Sequence, residues 1–141
     1  MVCSKCDLSL RIRGDELIPK DISELLGVSP SYSHAKGDEF SNPGSMDPKA
    51  PSGIWILSVP DDSLKNVSNQ IDGLLSRLTD DLETWKQLNT RFSTSLSALL
   101  YIQNDDRMNL SKDVVRKISD RGLGIGFRCM SPPLSSAENA G

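Results

Sequence analysis

Residues 7–27 read DLSLRIRGDELIPKDISELLG, and this stretch decides the fold class. Leu8, Leu10 and Ile12 alternate with Ser9, Arg11 and Arg13, the period of a half-buried β-strand, so Arg11 and Arg13 share its polar face. Gly14 and Asp15 end the strand. Pro19 then suits a first helical position, where its missing N–H costs nothing. Asp21 and Glu24 sit toward the positive end of the helix dipole. Ile22, Leu25 and Leu26 form an apolar stripe, and Gly27 stops the helix. A strand that turns directly into a short helix is the unit of a mixed α and β domain.

The same alternation of elements continues outward. Gly53–Val59, GIWILSV, is short, apolar and rich in β-branched residues, and reads as a central strand with Trp55 packed on one face. Residues 61–78 carry Leu64, Val67, Ile71, Leu74, Leu75 and Leu78 at helical spacing, with Asp61 or Asp62 as the N-cap. Asp80 and Glu83 then have capping-box spacing ahead of a segment with Leu82, Trp85, Leu88 or Asn89, and Phe92, either a second helix or the bent end of the first. Residues 95–103 form a third strand. Leu110–Arg121 forms a helix capped by Ser111, with Val114, Val115 and Ile118 facing inward. In 122–128, Leu123, Ile125 and Phe127 alternate with Gly124 and Gly126 as a fourth strand. Residues 1–6 read as a flexible leader and 130–141 as a flexible tail. The domain proper spans 7–129, interrupted at 29–52 by an irregular excursion rich in Pro and Gly, with a short extended piece around 32–36.

Two units echo each other. LSLRIRGDELIPKDISELLGV and SALLYIQNDDRMNLSKDVVRKISDRGLGIGF each run strand, acidic turn, then a Lys-Asp pair opening a helix that ends at glycine. The expected fold is therefore α+β: a ferredoxin-like, pseudo-duplicated α/β sandwich, its sheet antiparallel or mixed, its helices on one face.

The bulk numbers narrow the function classes. The chain has 141 residues, enough for one core, and a net charge of −3 spread without blocks. No concentrated basic footprint points to nucleic acid. No apolar run reaches the length of a membrane span, and the N-terminus lacks the apolar region of a signal peptide. Three cysteines, an odd number, argue against a secreted disulfide scaffold, so the cytoplasm is expected.

The candidate chemistry is sparse. Cys3 and Cys6 form a C-x-x-C without a second pair, ahead of the first strand and not at a strand-to-helix junction, which reads as incidental to metal or redox work. The acidic pairs Asp15-Glu16, Asp38-Glu39, Asp61-Asp62, Asp80-Asp81 and Asp105-Asp106 sit at turns and helix starts, where carboxylates cap and complement the dipole. Gly122, Gly124 and Gly126 follow a helix and enter a strand, the reverse of a dinucleotide fingerprint. Gly124 and Gly126 make one strand face flat, so that a helix or a partner chain can pack there. Trp55 and Trp85 read as core. His34, the only histidine, lies in the polar stretch SYSHAKGD beside Lys36 and Asp38.

The stretch SLRIRGDELIPKDISELLGVSPSYSHAKGD, followed by GIWILS, resembles the DUF4279 family, a bacterial domain of unknown function. SALLYIQ, LSKDVVRKISDRG and GIGF fit its second half, so the resemblance covers roughly 7–129. The matching positions are Gly14, Asp15, Pro19, Ile22, Leu26, Gly27, Lys36, Gly37, Asp38, Gly53 and Trp55. Members often carry an aromatic shortly before the Lys-Gly, and this chain has Tyr32 and His34 there. The resemblance implies a small α+β fold and a bacterial, cytoplasmic protein, and carries no catalytic residue.

Two functional expectations follow. The first is a small non-enzymatic cytoplasmic protein that binds a protein partner, immunity-like in blocking it by charge and shape. Its surface would hold Arg11, Arg13, Tyr32, His34, Lys36, Asp38 and Arg128, with no catalytic residue, cofactor or metal, as a monomer or weak homodimer. The alternative is an enzyme or sensor for a small molecule that uses the His34, Lys36 and Asp38 region.

Overall fold

The alternating residues Cys6, Leu8, Leu10 and Ile12 become the buried face of a central strand, each at most 1% exposed. The computed structural model describes residues 5–38, 49–59, 66–101 and 108–130. Along them run β1 (Lys5–Gly14), α1 (Pro19–Leu26), β2 (Tyr32–His34), β3 (Gly53–Val59), α2 (Val67–Ser76), α3 (Leu82–Arg91), β4 (Ser93–Tyr101), α4 (Lys112–Asp120) and β5 (Gly124–Met130). The strands form one sheet in the order β2-β3-β1-β4-β5. The pairs β2·β3, β3·β1 and β1·β4 are antiparallel, and β4·β5 is parallel. The fold is thus α+β with a mixed sheet.

All four helices bury their apolar residues against one side of this sheet. Ile22 and Leu26 of α1, Ile71, Leu74 and Leu75 of α2, Trp85 and Leu88 of α3, and Val114 and Ile118 of α4 join Leu8, Leu10, Ile12, Trp55, Leu57, Leu96, Ala98 and Leu100 in a single core. The two tryptophans are wholly buried, and each indole N–H has a partner. Trp55 donates to the Ser23 hydroxyl at 3.1 Å, and Trp85 donates to the Thr79 carbonyl at 2.8 Å. Burying such groups with their donors satisfied keeps the full hydrophobic gain.

Local details differ from the sequence reading for identifiable reasons. β1 starts at Lys5, so the leader contributes residues 5 and 6 to the sheet and Cys6 to the core. Leu25 is 38% exposed and Val115 49%, because each lies about 100° around its helix from a buried neighbour, Leu26 or Val114. The α2 cap is Asn66, whose side chain accepts from the Asn69 N–H at 2.8 Å. Asp61 and Asp62 fall outside the described residues. α3 is a separate helix capped by Asp81 rather than Asp80, and its carboxylate accepts from the Glu83 N–H at 3.1 Å. Ser111 does cap α4, accepting from the Val114 N–H at 3.2 Å. The excursion supplies a fifth strand, β2, while 39–48 and the tail from 131 lie outside the described residues.

The two echoing units are built differently. The unit β1-α1 leads to β2, which is separated from β1 by β3, whereas β4-α4 leads to β5, the immediate neighbour of β4. Both helices do end at a glycine of positive φ, Gly27 at 78° and Gly122 at 66°.

Candidate functional site

With the helices on one side, the other face of the sheet has no helix packed on it among the described residues. Strand register lines its side chains up in rows, because opposed residues on neighbouring strands project to the same face. One row runs Tyr32, Ile56, Arg11, Ser95, Gly124. The adjacent row runs His34, Ile54, Arg13, Ser93. Beyond the first row, in the other direction, lie Ser58, Ser9, Ser97 and Gly126, and then Asp7, Leu99 and Arg128.

The first two rows combine three kinds of group. At the β2 edge the Tyr32 hydroxyl lies 2.9 Å from Nδ1 of His34, and the two rings meet edge to face with centroids 5.4 Å apart. Next come Ile54 and Ile56 of β3, the first buried and the second half-buried. Then come the exposed side chains of Arg11 and Arg13. Arg11 is steadied by its own strand, where Nε donates to the Ser9 hydroxyl at 3.3 Å. No carboxylate stands in either row. Strand spacing sets each arginine roughly 10 Å from the aromatic residue of its row. Cationic, aliphatic and aromatic groups in sequence over that span suit an extended acidic segment, whose carboxylates meet arginine and whose apolar atoms meet the rings.

The remaining candidates fall elsewhere. Arg128 shares the face, but β4 separates its strand from β1, and it lies four positions along from Arg11's row. That places it roughly 16 Å from Arg11, in the row of Asp7 with Leu99 between them. Lys36 leaves the sheet and pairs with Asp15 at 3.6 Å, both side chains largely exposed. Asp38 folds back on its own turn, accepting the Ala35 N–H at 2.8 Å. Gly37 takes φ +88° between them, and its N–H reaches the Ala50 carbonyl at 2.9 Å. The Lys-Gly-Asp sequence is therefore a turn that anchors the start of the excursion to its return.

Two described grooves lie on the helix side instead. One of about 490 Å³ is bounded by Leu82, Lys86, Asn89 and Arg121, and one of about 310 Å³ by Asp72, Asp80, Lys117 and Arg121. Neither is lined by His34, Lys36 or Asp38. Among the described residues, no three His, Cys, Asp or Glu side chains gather to hold a metal ion. Cys6 is buried and Cys129 exposed. No described helix is long and apolar enough to cross a membrane.

The family model for DUF4279, a domain of unknown function, matches residues 4–130. The chain belongs to the DUF4279 family. No curated protein and no solved structure matches it significantly.

The residues that carried the DUF4279 resemblance now have physical roles. Gly14 and Gly53 face each other across β1 and β3. A Cβ on Gly53 would stand 2.9 Å from the Gly14 carbonyl oxygen and 3.0 Å from Leu17. Pro19, Ile22, Leu26 and Gly27 start, seat and stop α1. Asp15 and Lys36 tie the end of β1 to the turn after β2. The family pattern thus records the scaffold that holds β2 against β3. The seriate arrangement of Tyr32, Ile56 and Arg11 escaped sequence reading because it depends on strand order, and the pairing of β2 with β3 leaves no local signal.

Proposed function

We propose that this DUF4279 domain is a non-enzymatic binding module of the cytoplasm whose helix-free sheet face engages an acidic segment of a protein partner. The observation that carries this reading is the alignment of Arg11 and Arg13 with Tyr32 and His34 on two adjacent rows with no carboxylate in either. Arg and Tyr are the residues most often dominant in interfaces, and here both kinds stand exposed on a rigid sheet.

The finer fold reading also belongs here. Taken alone, β4-β1-β3-β2 has the strand order of a ferredoxin-like sandwich, with β1-α1-β2 as its split β-α-β unit and α4-β5 as an addition. The shared Lys-Asp at the openings of α1 and α4 supports an internal duplication; the different placement of β2 and β5 weighs against it. An immunity-like role, in which the face blocks a partner by charge and shape, is one form of the same activity.

The test is affinity capture of the tagged chain from a lysate of its source cell, run beside Arg11→Glu/Arg13→Glu. A near-stoichiometric protein retained by the wild type and lost by the double variant supports the reading. A partner retained equally by both overturns it.

A further inference from the structure

We infer that β5 pairs with β5 of a second copy of this chain, extending the sheet across a two-fold axis. β5 ends the strand order, so its outer edge has no partner strand among the described residues. It is also the longer of the two edges, seven residues against three in β2. Sheets commonly blunt such an edge with charge, proline or a covering element. β5 instead exposes Phe127 at 38% and Met130 at 42%, with Arg128 as its only charge.

Side-chain volumes along β5 fit one register. A two-fold axis perpendicular to the sheet keeps each face on its own side, so opposed residues must have the same parity. Centring it on Phe127 pairs all seven residues antiparallel. On the helix-free face Gly124 then opposes Met130 of the second copy, and Gly126 opposes Arg128. On the helix side Phe127 meets its own counterpart and Ile125 meets Cys129. Large side chains thus lie opposite glycines on one face, and apolar side chains opposite apolar ones on the other. A Cβ at Gly124 or Gly126 would meet nothing within 4 Å, so there is open space for those large groups. Centring on Arg128 would put like charges directly opposite, which is unfavourable, whereas the Phe127 centre makes them diagonal. Glycine weakens a strand unless something approaches it closely, and here the second copy's long side chains supply that approach.

The test uses the full chain. Sedimentation across a concentration series should show reversible dimers, and Phe127→Glu, which places two carboxylates on the axis, should abolish them. In a Cys3→Ser background, Ile125→Cys should form a covalent dimer with native Cys129 on mild oxidation, since opposed Cα atoms about 4.5–5.5 Å apart suit a disulfide. Gly126→Cys, opposite Arg128, should not. A wild-type chain that stays monomeric throughout, a dimer that survives in folded Phe127→Glu, or equal cross-linking by both cysteine variants would each overturn the inference.

Discussion

The Tyr32 hydroxyl and the His34 Nδ1 lie 2.9 Å apart on the exposed edge of the sheet, their rings at 84° to one another. Residues two apart on a strand share a face, so the pair forms one aromatic step beside Ile54 and Ile56. Tyr32→Phe should lower stability by less than about 1 kcal/mol, because an exposed hydrogen bond is largely replaced by water. Tyr32→Ala should weaken a captured partner by roughly tenfold or more, as interface tyrosines do when removed, with little change in melting temperature. Titration calorimetry with the partner, beside thermal melts, separates the two effects.

Glycine positions give a sharp contrast. Gly53→Ala puts a methyl 2.9 Å from the Gly14 carbonyl, a backbone atom that cannot swing away. The cost should be about 1–3 kcal/mol, the range for overpacking. Gly73 lies inside α2 with nothing within 4 Å of a built Cβ. Gly73→Ala should therefore stabilise by about 0.5–1 kcal/mol, the helix preference of alanine over glycine. Urea denaturation of both variants checks the pair of signs.

Asn89 joins three elements. Its amide donates to the Trp85 carbonyl at 2.9 Å and to the Arg121 carbonyl at 2.7 Å, and its oxygen accepts from the Thr94 hydroxyl. Asn89→Ala takes this partner from the Arg121 carbonyl and the Thr94 hydroxyl, while the Trp85 carbonyl keeps its helical bond, and should cost about 1–3 kcal/mol. Gly122→Ala meets both φ +66° and an Asn89 nitrogen 2.6 Å from the new Cβ. The double variant should cost less than the sum, because removing Asn89 relieves that clash. A double-mutant cycle in urea reads the difference.

Most of the scaffold was legible because local chemistry agrees with tertiary need. The alternation Leu8, Leu10, Ile12 and the Pro19-to-Gly27 helix signals need no distant partner to be read, and both sit where they were expected. Leu25 and Val115 misled because an apolar residue beside a buried one looks like part of its stripe, while a helix lying on a sheet buries only a narrow arc. The candidate face was half legible. Period two put Arg11 and Arg13 together, but nothing local shows that β3 separates β1 from β2. Arg128 does share the face with Arg11, but β4 stands between their strands.

Charge on the face should act by position. Arg128→Glu, far along the sheet, should weaken partner binding by less than about threefold, the scale of a rim charge. Arg11→Glu should do more at every salt concentration, and raising salt should shrink the gap between it and the wild type, because exposed charges are screened. Calorimetric titrations at low and physiological ionic strength compare the two variants.

The most direct measurement is the affinity of the captured partner for wild type and for Arg11→Glu/Arg13→Glu, with both proteins shown folded by their melting curves. If the helix-free face is the binding surface, the double reversal lowers affinity by about a hundredfold or more, the effect of replacing attraction by like-charge repulsion at two contacts. An affinity unchanged in the folded double variant would contradict the account and place the contact elsewhere on the molecule.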